Sequence, residues 1–91
     1  MRKNREVEPR SPNKGVRELV AELKRHGVVF AGYEGRHPRF VDPVSGRGHQ
    51  VPMTPSRRYW RVDDTKNWCN ILGDRASQRL RAWAHLTSRP P

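Results

Sequence analysis

From Asn13 onward the hydrophobic positions fall first at helical and then at strand spacing. Val16, Leu19, Val20 and Leu23 stand at i, i+3, i+4 and i+7, which puts one apolar stripe on an α-helix. Asn13 sits where an N-cap side chain is wanted and Gly27 where a C′ residue is wanted, with Lys24, Arg25 and His26 in the last turn, where cations suit the helix dipole. Val28, Val29, Phe30 and Ala31 then form a β-branched and aromatic run ending at Gly32 and Tyr33. Glu34 and Gly35 turn the chain into a second strand, Arg36 to Asp42, and residues 43–46 turn it into a third, Gly48 to Met53. Pro38 and Pro52 have no N–H to give to a ladder and belong at a strand start, a bulge or an edge.

Beyond Thr54 the pattern predicts a loop to Asp63, then a short helix over 65–72. Asp63 or Asp64 caps it, Trp68, Ile71 and Leu72 face inward, and Gly73 ends it. A further helix, capped by Asp74, lines Ala76, Leu80, Trp83 and Ala84 along one face. The order α-β-β-β-α predicts an α+β fold: a three-stranded antiparallel sheet with helices on one face, an open opposite face, and an added C-terminal helix. The expected organisation is a flexible basic tail over 1–12, a domain over 13–73, and a C-terminal basic helix and tail over 74–91. Residues 1–12 carry almost no apolar side chain besides Val7, too little burial to offset the entropy of ordering them.

Composition narrows the partners. The formal charge is +10, from 19 Lys+Arg against 9 Asp+Glu, and 15 of the cations are arginine. Arginine presents a planar fork of donors that grips phosphate with two bonds and stacks on bases, so the excess points to nucleic acid, RNA or DNA. The three stretches 1–14, 15–60 and 61–91 carry +3, +4 and +3, a broad field that steers any polyanion and weakens with salt. Cys69 is the single cysteine, which excludes an internal disulfide and a cysteine metal cluster and suits a reducing cytoplasm. No apolar run follows the first charges and no window reaches the length of a bilayer span, so secretion and membrane insertion are not expected. No residue pattern calls for a cofactor.

Two stretches carry candidate chemistry. Gly35 opens a turn that sets His37 between Arg36 and Arg39 at the start of a strand. A histidine there is a candidate base for the 2′-hydroxyl proton of RNA, with Arg36 and Arg39 holding the phosphate; the plain alternative is a surface histidine that binds phosphate or merely sits in a turn. His49 on the third strand faces His37 across the sheet if the register allows. Arg57, Arg58, Tyr59, Trp60 and Arg61 interleave cations with aromatics, the composition that stacks bases and holds a single-stranded backbone. Trp60 reads equally well as a lid on the core. His26 reads as serving the helix end.

Taken together, these segments resemble the HicA family, the small toxins of bacterial and phage toxin–antitoxin pairs. The resemblance covers about residues 13–72. It rests on an amphipathic helix ending in glycine before a hydrophobic strand (Glu18 to Phe30), a glycine–residue–histidine turn opening the second strand (Gly35, Arg36, His37), and a strand ending in Val51 and Pro52 that leads to a helix with a leucine-type core. The resemblance implies a double-stranded-RNA-binding-domain-like fold, mRNA cleavage that depends on His37, and an antitoxin protein as partner. This sequence departs from the family pattern at Arg36, where serine or threonine is usual, and at Thr54, where histidine is frequent. The alternative is a non-catalytic regulatory module of a phage or bacterium that binds nucleic acid, or that docks Tyr59 and Trp60 on a host protein.

Overall fold

The computed structural model describes residues 7–88. Its elements run α1 (Lys14–Arg25), β1 (Val29–Glu34), β2 (His37–Val41), β3 (Gly48–Gln50), α2 (Trp60–Leu72), a single 3-10 turn (Gly73–Arg75) and α3 (Gln78–Ser88). The three strands form one antiparallel sheet in the order β1-β2-β3, so the fold is α+β as the periodicities predict. Among the described residues no helix is long and apolar enough to cross a membrane.

Helix α1 begins where the sequence places it. Asn13 Oδ1 accepts the Val16 N–H at 3.1 Å and satisfies one of the orphan donors of the first turn. At the other end Gly27 takes φ 85°, a conformation that a side chain disfavours, and the His26, Gly27 and Val28 N–H groups return to the Leu23 and Lys24 carbonyls. The stripe of Val16, Leu19 and Leu23 is fully buried and joins Phe40, Val51, Trp68 and Leu80 in one cluster.

Strand β1 runs to Glu34, one residue past its expected end at Gly32 and Tyr33, and it carries a bulge. Phe30 pairs with Phe40 and Tyr33 with Pro38, so Ala31 and Gly32 together oppose Arg39, and Gly32 takes φ 91°. The bulge puts Phe30 and Tyr33 on the same face although they are three apart, with ring centroids 5.6 Å apart. Phe30, Phe40 and Pro38 face the core, while Val29, Arg39 and Gln50 lie on the other face. Gly35, at φ 64°, and Arg36 make a two-residue turn closed by the Glu34–His37 pair, so β2 starts at His37 rather than Arg36. It stops at Val41 because fully buried Asp42 turns inward and accepts the Val44 and Ser45 N–H groups. Strand β3 is shorter than expected: Val51 gives one more hydrogen bond, to the Pro38 carbonyl at 3.0 Å, and Pro52 has none to give.

Three expectations are corrected. Helix α2 starts at Trp60, not at residue 65, and its N-cap is Tyr59 without a side-chain bond; neither Asp63 nor Asp64 caps it. Packing fixes this start, since the Trp60 and Trp83 rings meet edge-to-face at 5.5 Å. Asp74 does not cap the last helix: it lies in the 3-10 turn, and the Ser77 hydroxyl accepts the Leu80 N–H at 3.0 Å instead. Nor is α3 an appendage to a domain closed at residue 73. Ala76, Leu80, Trp83 and Ala84 belong to the same hydrophobic cluster as α1 and the sheet. A polar cluster reinforces the docking: buried Glu22 accepts from the Ser77 hydroxyl at 3.1 Å, and His26 Nε2 accepts the Ser77 N–H at 3.1 Å while its Nδ1 donates to the Glu22 carbonyl at 2.8 Å. Both ring nitrogens of His26 are thus occupied in tying α1 to α3.

The basic tail expected over 1–12 lies in part outside the described residues. From Val7 the chain already touches the fold. Ser11 is buried and donates to the Met53 carbonyl, Glu8 pairs with Lys24 at 2.6 Å, and the Tyr33 hydroxyl donates to the Val7 carbonyl. These are polar contacts, which a reading based on apolar content overlooks.

Candidate nucleic-acid interface

The end of the sheet and the start of α2 enclose an open cleft of about 330 Å³. His37 comes to it from the hairpin, His49 and Gln50 from β3, Pro52 and Arg57 from the loop, and Trp60, Asp63 and Asp64 from the first turns of α2. The early start of α2 is what brings the last three there.

His37 is exposed at the beginning of β2 and pairs across the hairpin with Glu34. His49 does not oppose it. The register sets His49 opposite Phe40, on the core face, where its ring meets Trp68 edge-to-face at 6.3 Å and its Nε2 accepts from the Asn67 amide at 3.2 Å. The two histidines stand on opposite faces of the sheet and reach the same cleft from its end. Burial first, and the Arg39 charge second, hold the His49 pKa below 6.5, against a smaller pull from Glu34. His49 is therefore a neutral, anchored ring.

The flanking arginines divide. Arg36 is exposed in the turn. Arg39 lies on the open face and reaches Glu34 Oε1 at 3.4 Å, beside the Gln50 amide that donates to the same oxygen at 2.9 Å. The Gln50 hydrogen bond is the main cause that lowers the Glu34 pKa, with the Arg39 charge adding to it and burial opposing.

The cation–aromatic run divides as well. Arg57 is 78% exposed at the cleft mouth and pairs with Asp63 at 2.5 Å. Arg58 lies over the Tyr59 ring, itself 63% exposed, at 5.5 Å to its centroid. Trp60 both lines the cleft and packs edge-to-face on Trp83, as a lid on the core does. Arg61 turns inward: its guanidinium lies 4.7 Å from the Trp83 centroid and 5.5 Å from that of Trp60, and 3.9 Å from Glu18. It crosses Gly15, where a Cβ would stand 2.1 Å from its Nη2. Arg61 is a packing residue, and the run offers Arg57, Arg58, Tyr59 and Trp60 to the outside.

Sequence reasoning passed over Asp64. It is 8% exposed, and its Oδ2 has no hydrogen-bond partner among the described residues. Burial is the main cause that raises its pKa, to about 6; the neighbouring Asp63 charge adds to this and Arg57 opposes it. The signal was in the spacing: 64, 68, 71 and 72 make a helical stripe, and all four side chains are buried, so an acid stands on an apolar face.

No protein family, no curated protein and no solved structure matches this chain.

Proposed function

We propose that this chain is a small RNA-binding protein of HicA-like type, which lays a single strand across the cleft and cleaves it without a metal. The observation that carries the reading is the meeting, in one cleft of a strongly basic chain, of exposed His37, the Arg57 fork and the Trp60 ring. Arg57 and Arg36 hold backbone phosphates, Tyr59 and Trp60 stack bases, and His37 accepts the 2′-hydroxyl proton. The 2′-oxygen then bonds to phosphorus, the bond to the 5′-oxygen breaks, and water in the open cleft protonates the leaving oxygen. The products are a 2′,3′-cyclic phosphate and a free 5′-hydroxyl. A HicA-like toxin also needs an antitoxin, and the exposed sheet face that carries Val29 and His37 suits one.

A second reading, a module that binds RNA without cutting it, draws on a specific observation. His49 is turned to Trp68 and Asn67 and is not offered to a phosphate at His37, and Arg39 and Arg57 each already have a carboxylate partner, Glu34 and Asp63. Induction of the parent chain and of His37→Ala in a bacterial host, with mRNA integrity followed in both, separates the two. Growth arrest with mRNA fragmentation that is lost in a folded His37→Ala supports the enzyme. Intact mRNA in both leaves a binding module.

A further inference from the structure

We infer that the cleft is a pocket for one guanine base of a bound RNA strand, with Asp64 accepting hydrogen bonds from the base's donor edge. The inference rests on the RNA-binding reading above and adds to it the base that the site selects.

Asp64 lines the cleft wall, its side chain is almost wholly buried, and its Oδ2 has no hydrogen-bond partner among the described residues. A buried acceptor left unpaired is costly, and a ligand that supplies a donor recovers that cost on binding. At neutral pH an aspartate with this environment is mostly ionised, and an ionised carboxylate only accepts. The four bases differ at this point. Guanine presents two adjacent donors on its Watson–Crick edge, N1–H and the N2 amino group. Adenine and cytosine pair one amino donor with a ring-nitrogen acceptor, which a carboxylate repels, and uracil sets a single N–H between two carbonyls.

The remaining walls suit a flat ring. Trp60, Pro52 and Pro55 supply apolar surface on which a base can lie, and Arg57 at the mouth offers donors to an acceptor such as guanine O6. An arginine side chain of a partner protein also carries paired donors, but a chain of formal charge +10 repels a basic segment and attracts a polyanion. The cleft volume of about 330 Å³ lies within the range of small-ligand sites.

The test is fluorescence anisotropy with 2′-O-methyl RNA octamers, which cannot be cleaved through the 2′-position: all-uridine, and the same strand with one central guanine, inosine or adenine. The parent should bind the guanine strand about tenfold or more tighter than the adenine strand, the order expected for hydrogen bonds to a charged acceptor, with inosine, which lacks the amino group, in between. Asp64→Asn and Asp64→Ala, each confirmed folded by its thermal transition, should bring guanine and adenine within about threefold while still binding the all-uridine strand. Equal binding of all four strands by the parent overturns the guanine pocket and leaves RNA binding standing. A guanine preference that survives both variants overturns the role of Asp64. Failure of the parent to bind any strand at low salt overturns the RNA-binding reading, and the inference with it. Capture of an arginine peptide by the parent but not by Asp64→Asn, without guanine preference, reassigns the pocket to a protein ligand.

Discussion

Asp64→Asn should stabilise the protein at neutral pH. An unfolded aspartate titrates near 3.8 and Asp64 in the fold near 6, so the charged form is disfavoured in the folded state. The sign follows from proton counting. Between these two values the folded chain holds a proton that the unfolded chain has lost, so stability contributed at this site falls as pH rises from about 4 and levels off above about 7. The full displacement corresponds to roughly 3 kcal/mol, and the solvent in the open cleft screens this to about 2 kcal/mol. An asparagine amide at the same place keeps one polar group incompletely paired, at about 1 kcal/mol. The net gain at pH 7.5 is then about 1 kcal/mol, or roughly 4–8 °C in Tm for a domain of this size. Urea or thermal unfolding of parent and variant from pH 4 to 8 checks it, with the difference between the two as the readout; His37, His49, Asp63 and Arg57 are the other titratable or charged groups that line the cleft. By the same arithmetic the gain should turn into a loss of up to about 1 kcal/mol near pH 4, where the charge penalty has nearly gone and the cost of the amide remains. A variant less stable than the parent at pH 7.5, or a difference that does not change with pH, would refute the account of Asp64 as a buried charge without a partner.

Gly48→Ala should destabilise by about 2 kcal/mol, because its Cβ would stand 2.5 Å from the Phe40 carbonyl oxygen and 2.8 Å from Val41 Cγ2, and a strand backbone cannot yield as a side chain can; chemical denaturation measures it. Asp42→Asn should cost about 2 kcal/mol or more, since it breaks a buried ion pair with Arg75 and weakens the acceptor for the turn. Burial raises the Asp42 pKa, but the Ser45 and Arg75 hydrogen bonds outweigh it and the net shift is downward. The stability from Asp42 is therefore present above about 3.8 and lost as pH falls through its lower folded value, visible as acid unfolding at higher pH in the variant. Leu80→Ala should lower stability by about 2–5 kcal/mol in a single transition, whereas an appended helix would leave the unfolding of the rest unchanged. Trp83→Leu should cost about 2 kcal/mol or more and also weaken RNA binding several-fold in anisotropy, because Trp60 and Arg61 both rest on that ring.

The elements that depend on local chemistry were legible in the sequence: α1 through its stripe, Asn13 and Gly27, and the three strands through their turn residues. What local chemistry does not determine was not. The β1 bulge at Ala31 and Gly32 follows from pairing with β2, and the register that separates His49 from His37 follows from that pairing and the turn at Asp42. The start of α2 was misplaced because Arg57–Arg61 reads as a polar loop until Trp83, more than twenty residues away, gives Trp60 a surface to pack on. His37 stands out in the sequence through the glycine turn that sets it between two arginines, and Arg57 through the cation–aromatic run. Asp64 was not, because an acid near a helix start reads as a cap unless the buried stripe of Trp68, Ile71 and Leu72 is extended back to it.

The C-terminal helix lies beyond the resemblance to a known family, yet it bears directly on the cleft. Trp60 is the aromatic wall of the opening, and its edge-to-face contact with Trp83 holds that wall in place. Arg61 fills the space behind, between both rings and Glu18 of α1, and passes close over Gly15, where no side chain stands in its path. The layer Gly15–Arg61–Trp83–Trp60 thus connects α1, α2 and α3 to one side of the site, and Glu22, His26 and Ser77 fasten α3 from the other end. A small sheet with one covering helix leaves the start of α2 with little to pack on. With α3 in place, the first turn of α2 is held early enough in the chain to set Asp64 in the cleft wall, so the added helix is part of what makes the site.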